Sequence, residues 1–199
     1  DFGRLIAEVR PSSTGAGNGN STLSYTAVSC SSDCWYGTDA KYKIREGRTD
    51  GFWSESYRDA LGREVGKAFI LNNGTTESRQ AFIYNDQGQL VTETVPYRSG
   101  EAIYNISRTY DLNGRPKSES RQVSEVDETA QETKWKYNRL ATTVTDAENH
   151  ARIFTTDATG NLLSVQEPSP GGTTSYTYTP WGELHQVTDA SGHLTTTIN

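Results

Sequence analysis

Apolar and polar residues alternate along short stretches of this chain, and a recurring turn signal separates the stretches. Thr174, Tyr176 and Tyr178 would face one way and Ser175 and Thr177 the other, the period-two pattern of a half-buried strand. Leu163 and Val165 share a face after Gly160, and Val91, Glu93 and Val95 oppose Leu90, Thr92 and Thr94. The pattern predicts an all-β fold of successive antiparallel hairpins. One hairpin alone would be marginal, because cross-strand pairs contribute only about 0.2 to 1 kcal/mol each. Stability must come from many copies side by side.

The turn signal is a repeat anchored on glycine: RDALG (58–62), YNDQG (84–88), YDLNG (110–114), TDATG (156–160), YTPWG (178–182) and TDASG (188–192), with TDAEN (145–149) carrying Asn149 in the glycine slot. The opening FGRL, at 2–5, reads as a further copy cut short. Asp at the first turn position can accept from backbone N–H groups two residues on, and Gly at the fourth supplies a left-handed conformation. Asn tolerates that conformation better than other side chains. The expected turn residues are Asp59 with Gly62, Gly88, Asp111 with Gly114, Asp146 with Asn149, Asp157 with Gly160, Gly182, and Asp189 with Gly192. Tyr84, Tyr110 and Tyr178 precede their anchors by four residues, at strand ends where the ring covers a neighbour and the hydroxyl stays wet. Spacing between copies is irregular, which suits strands of variable length.

Composition agrees with this reading. The 199 residues include 11 Tyr, 18 Gly and no Met, and 33% are hydrophobic, favouring strands and turns over packed helices. Two stretches break the pattern: PSSTGAGNGNS (11–21), read as a flexible loop, and SEVDETAQE (124–132), read as a solvated hairpin tip or short helical turn. The expectation is a single region over 1–199, with 1–50 divergent and 57–199 made of recognisable copies. A formal net charge of −6 and the lack of a basic run argue against nucleic-acid binding. No apolar stretch has membrane-spanning length, and the opening lacks the charged and apolar regions of a signal peptide. Without an initiator Met, the chain is expected to be part of a longer polypeptide.

Catalytic and metal chemistry finds little support. Cys30 and Cys34, four residues apart with no second pair and no nearby His, do not make a zinc site. A local disulfide, fitting an exported protein, is weighed against two free thiols. His150, His185 and His193 sit at or just after turns without metal-ligand spacing. GAGNG (15–19) lacks the preceding strand and following helix of a phosphate loop, and no nucleophile motif occurs. The aspartates at 59, 111, 146, 157 and 189 recur once per copy, as a turn requires and a catalytic pair does not. Asn20, Asn73 and Asn105 begin glycosylation sequons that matter only on a eukaryotic secretory route. Trp35, Trp53, Trp135 and Trp181 could form a sugar-stacking platform, against the alternative of packing between strands. No cofactor is expected.

YDLNGR, TDATGNLLSV and the longer run TDATGNLLSVQEPSPGGTTSYTYTPWGELHQVTDASGHLTTT (156–197) resemble the YD repeats of the RHS family over residues 57–199. The Cys pair, AKYKI and SYRDALGREV resemble the repeat region of bacterial SpvB/TcB-like RHS proteins associated with toxin complexes. The resemblance implies a curved strip of hairpins, spiralling into a hollow shell that encloses a toxic C-terminal polypeptide, or in teneurins forming part of a cell-surface adhesion protein. The motif that family members place after the repeats, with its aspartyl autoproteolytic site, does not occur before Asn199, so no catalytic residue carries over. Arg58, Thr145, Thr156 and Thr188 stand where other copies have Tyr. The expected function is a non-enzymatic structural segment of a large exported bacterial RHS-repeat protein, secreted or at the cell surface. Its partners would be the rest of the parent polypeptide and an enclosed toxin, with edge-strand self-association. The alternative is an extracellular adhesion or carbohydrate-binding module recognising a cell-surface glycan.

Overall fold

The computed structural model describes residues 7–10, 19–29, 34–37, 39–47, 52–71, 74–122 and 130–196. Among them every regular element is a strand, and the sheet takes its strands in chain order, each antiparallel to the last wherever its pairing is described. The all-β expectation therefore holds. Contacts group into two compact units, Asp1–Ser107 and Arg108–Asn199, where the sequence is read as one region.

The first unit contains β1 (Ala7–Arg10), β2 (Gly19–Ala27), β3 (Tyr42–Gly47), β4 (Trp53–Arg58), β5 (Glu64–Ile70), β6 (Thr76–Tyr84), β7 (Leu90–Thr94) and the start of β8 (Asn105–Tyr110). Cross-strand partners share a face. The pairings Arg45↔Glu55, Glu55↔Ala68 and Ala68↔Arg79 form one row, and Lys43↔Tyr57, Tyr57↔Gly66 and Gly66↔Ala81 form the next. Residues 34–37, between β2 and β3, lie over this face. The Tyr36 ring stacks on Tyr57 at 4.1 Å between centroids, and Trp35 meets Tyr57 edge-on at 5.1 Å. Ala40, Tyr57 and Val65 form the buried centre, with Val28, Trp35, Tyr36 and Tyr84 packed against it. Gly66 makes this packing possible, because a Cβ there would overlap Tyr36 Cβ.

The second unit continues with β9 (Pro116–Arg121), β10 (Gln131–Asn138), β11 (Ala141–Thr145), β12 (Ala151–Thr156), β13 (Leu162–Gln166), β14 (Thr173–Tyr178), β15 (Leu184–Thr188) and β16 (Leu194–Thr196). Registers place Tyr137, Thr142, Phe154, Val165 and Thr174 in one row, with Trp135 and Val144 beside it. Ser164, Ser175 and Thr188 line up on the opposite face. Val165 is buried at 9% exposure while Leu163, on the same face, is 38% exposed.

Two expected loops are shorter than read. Gly19–Ser21 already belong to β2, paired with β1 from Arg10↔Gly19 onward, and 11–18 lie outside the described residues. Gln131 and Glu132 belong to β10, held by Arg121 and Ser120 of β9; residues 123–129 lie outside the description. Backbone pairing with a neighbouring strand overrides a polar or glycine-rich composition in both cases. FGRL at 2–5, Cys30, Asn73 and most of GAGNG also lie outside the described residues.

Candidate functional site

The recurring turn is a five-residue unit closed from within. Gly114 N–H donates to the Asp111 carbonyl at 3.0 Å, and Asp111 N–H donates to the Arg115 carbonyl at 2.9 Å. One carboxylate oxygen of Asp111 accepts from the backbone of Asn113 and Arg115, at 2.9 and 3.0 Å. The other accepts from the Arg115 guanidinium at 2.8 Å. Gly114 has φ +78°, the left-handed region that other side chains enter at a cost.

The same pattern recurs at Asp59, Asp146, Asp157 and Asp189. Asn85 takes the role of Asp before Gly88, and Thr179 before Gly182. The fourth position is left-handed at Gly62, Gly88, Gly160, Gly182 and Gly192, and at Asn149 with φ 65°. Sequence reading missed the fifth residue, which supplies the partner for the second carboxylate oxygen. Arg63, Arg115, His150, Asn161 and His193 fill it, and the signal was a polar donor directly after the anchor.

This arrangement fixes the charge of the carboxylates. The Arg115 guanidinium holds Asp111 below the ordinary carboxyl range, and Thr159 with Asn161 brings Asp157 down to about 2. Backbone N–H groups of His150 and His193 lower Asp146 and Asp189. At Asp59 burial pushes upward, and the bonds from Arg63 and the backbone outweigh it. These aspartates are ionised acceptors of turn hydrogen bonds, a state opposed to proton donation near neutral pH.

The tyrosine before the turn reaches back to the first residue of the strand paired before its own. Tyr84 Oη donates to the Glu64 carbonyl at 2.9 Å, Tyr137 Oη to that of Pro116 at 2.8 Å, and Tyr178 Oη to that of Leu162 at 2.9 Å. Each acceptor is the first strand residue after the preceding turn on the same sheet edge. The Arg63 guanidinium lies 4.8 Å from the Tyr84 ring centroid and that of Arg115 4.0 Å from Tyr137, adding cation–π contact. The expectation of wet hydroxyls is thus corrected for Tyr84 and Tyr178. Both rings lie against the neighbouring hairpin, and a half-buried hydroxyl there takes a carbonyl. Tyr110 ends β8, directly before Asp111. Thr156 serves in the same place, its hydroxyl donating to the Leu140 carbonyl at 3.3 Å.

A second polar cluster lies beneath the aromatic cover of the first unit. Glu55, 5% exposed, accepts from Lys43 at 2.8 Å and from Tyr57 Oη at 2.7 Å, with Arg45 at 3.6 Å. Burial pushes its carboxyl up, but the bonds from Lys43 and Tyr57 outweigh this and hold it below the ordinary value. Burial and the bond to Glu55 push the Tyr57 hydroxyl well above its ordinary value. The cluster is a charge network under a packed cover in which Lys43 and Tyr57 bond Glu55, while the buried Arg45 Nε faces it at 3.6 Å without a hydrogen bond. Cys34, at the base of that cover, is disulfide-bonded; its expected partner Cys30 lies outside the described residues.

Among the described residues no three His, Cys, Asp or Glu side chains gather as a metal site, and no helix is long and apolar enough to cross a membrane. A cavity of about 290 Å³ lies beside Trp35, Tyr36, Val65 and Phe82, and a more open groove of about 560 Å³ runs between the Asp157 and Thr179 turns. Trp35, Trp53 and Trp135 are partly buried, whereas Trp181 in the groove is 88% exposed.

No family model matches the chain, and no curated protein matches it. Among solved structures it is similar to "Crystal Structure of TcdB2-TccC3-TEV", 13% identical with TM-score 0.36 over 90% of this chain and 13% of that one. It is also similar to "Crystal Structure of TcdB2-TccC3-Cdc42", 14% identical with TM-score 0.54 over 87% of this chain. The chain spans 10% of that structure's length and shares the fold of the stretch it matches.

Proposed function

We propose that the chain is a non-enzymatic wall segment of a large exported bacterial RHS-repeat protein, part of a β-shell that encloses or delivers a toxin polypeptide. The observation that carries this reading is the self-closed turn, repeated hairpin after hairpin, in which the recurrent aspartates are consumed as structural acceptors. The fold shared with part of the TcdB2-TccC3-Cdc42 structure supports it. On this reading the partners are the remainder of the parent polypeptide and its enclosed cargo, and edge strands pair with further strands of the parent or with a second copy. No cofactor is needed. The disulfide at Cys34 supports a secreted or cell-surface location, since disulfides persist in oxidising compartments.

The test is protease protection in the intact parent polypeptide. The polypeptide that follows the repeats should resist digestion in native buffer and become cleavable once denaturant opens the sheet. Equal cleavage under both conditions would refute a shell.

A further inference from the structure

The groove between the Asp157 and Thr179 turns has two unlike walls. One carries Trp181, whose indole is 88% exposed. The other presents Asp157, Thr159 and Asn161. Its volume of about 560 Å³ falls in the range of small-ligand sites, roughly 300 to 1,000 Å³.

The turn itself does not require the tryptophan. Its hydrogen bonds are closed by Thr179, Gly182 and Glu183, and the third position of other copies holds Leu61, Gln87, Asn113, Glu148, Thr159 or Ser191. Pro180, immediately before Trp181, fixes its own φ and stiffens the tip. A large ring is thus held in water on a rigid support. The facing wall offers acceptors. Asp157 stays ionised above about pH 2, and its Oδ2 accepts from Asn161 Nδ2 at 2.9 Å, leaving a further lone pair. The Asn161 amide nitrogen donates to both Asp157 and Thr159, which leaves its carbonyl oxygen to accept.

A flat apolar surface opposite anionic and amide acceptors matches a molecule with C–H faces and an O–H rim. We infer that this groove binds a neutral saccharide, its pyranose ring stacked on the Trp181 indole and its hydroxyls donating to Asp157 and Asn161. Charge selects within the class: the Asp157 carboxylate and a net charge of −6 oppose sialic and uronic acids. The site is independent of the shell reading, and either can fail alone.

The test uses the intact chain on a glycan array. It is followed by NMR titration with cellobiose, maltose, lactose and N,N′-diacetylchitobiose, and with 3′-sialyllactose as the anionic comparator. The Trp181 indole N–H signal is assigned by its loss in Trp181→Phe. At least one neutral sugar should shift it saturably and more strongly than sialyllactose. Trp181→Ala should weaken binding by at least about 10-fold with an unchanged far-UV spectrum, Trp181→Phe should weaken it less, and Trp135→Phe should leave it unaltered. The inference is overturned if no neutral glycan binds, if only anionic glycans bind, or if Trp181→Ala binds as the parent does.

Discussion

A glycine and an aspartate do different work in each turn, and their substitutions should separate. Gly114 supplies a left-handed backbone at φ +78°, so Gly114→Ala should lower stability by about 1 to 2 kcal/mol, read from chemical denaturation. Gly66 has no such conformation; its hydrogen makes room for Tyr36. Gly66→Val should cost about 1 to 3 kcal/mol through overpacking and also shift Trp35 fluorescence as the cover lifts, which Gly114→Ala should not do. Acid should act through the carboxylates. Their folded values are lowered, so the stability they contribute is fully present above the ordinary values of 4.5 for Glu55 and 3.8 for Asp157. It is lost as pH falls through the lowered ones. Thermal melts should hold steady down to about pH 5 and then decline, with the Asp157 share disappearing last, near pH 2. Asp157→Asn should remove that final part of the decline.

At the scale of elements, the link from each tyrosine hydroxyl to the first residue of the preceding strand ties its turn to the turn before it on the same edge. Tyr84→Phe, Tyr137→Phe and Tyr178→Phe keep the ring and delete the bond, so each should cost about 0.5 to 1.5 kcal/mol. Hydrogen exchange should rise at the turn that loses its donor and stay unchanged at distant turns. The strands were legible from alternation, because a period of two leaves a visible mark on a half-buried sheet. The tyrosine link was not, since its acceptor is a backbone carbonyl, which has no residue identity to read. The fifth turn residue could have been found: Arg63, Arg115, Asn161 and His193 each follow an anchor glycine directly.

For the molecule as a whole, the all-β class and chain-order hairpins followed from local signals, since each strand pairs with its neighbours in sequence and turn chemistry fixes where they reverse. What sequence reading could not supply was long-range covering. Nothing local in SCSSDCWYG says that Trp35 and Tyr36 will lie on Tyr57 of another strand. Likewise, a polar residue such as Glu55 gives no local sign that Lys43 will meet it across the sheet. Grouping into two units was equally hidden, because the repeat continues through 107–108 without a change of composition.

The backward reach of the tyrosines also acts as a ruler. Each hydroxyl bond spans one strand spacing, about 4.8 Å, and so ties a turn to the turn one hairpin earlier on the same edge. Shortening or lengthening such a chain by one strand would point the next tyrosine at the wrong edge, whereas a change of two leaves every remaining link with its acceptor. Length in this architecture is therefore counted in hairpins, and its natural variants should differ by even numbers of strands.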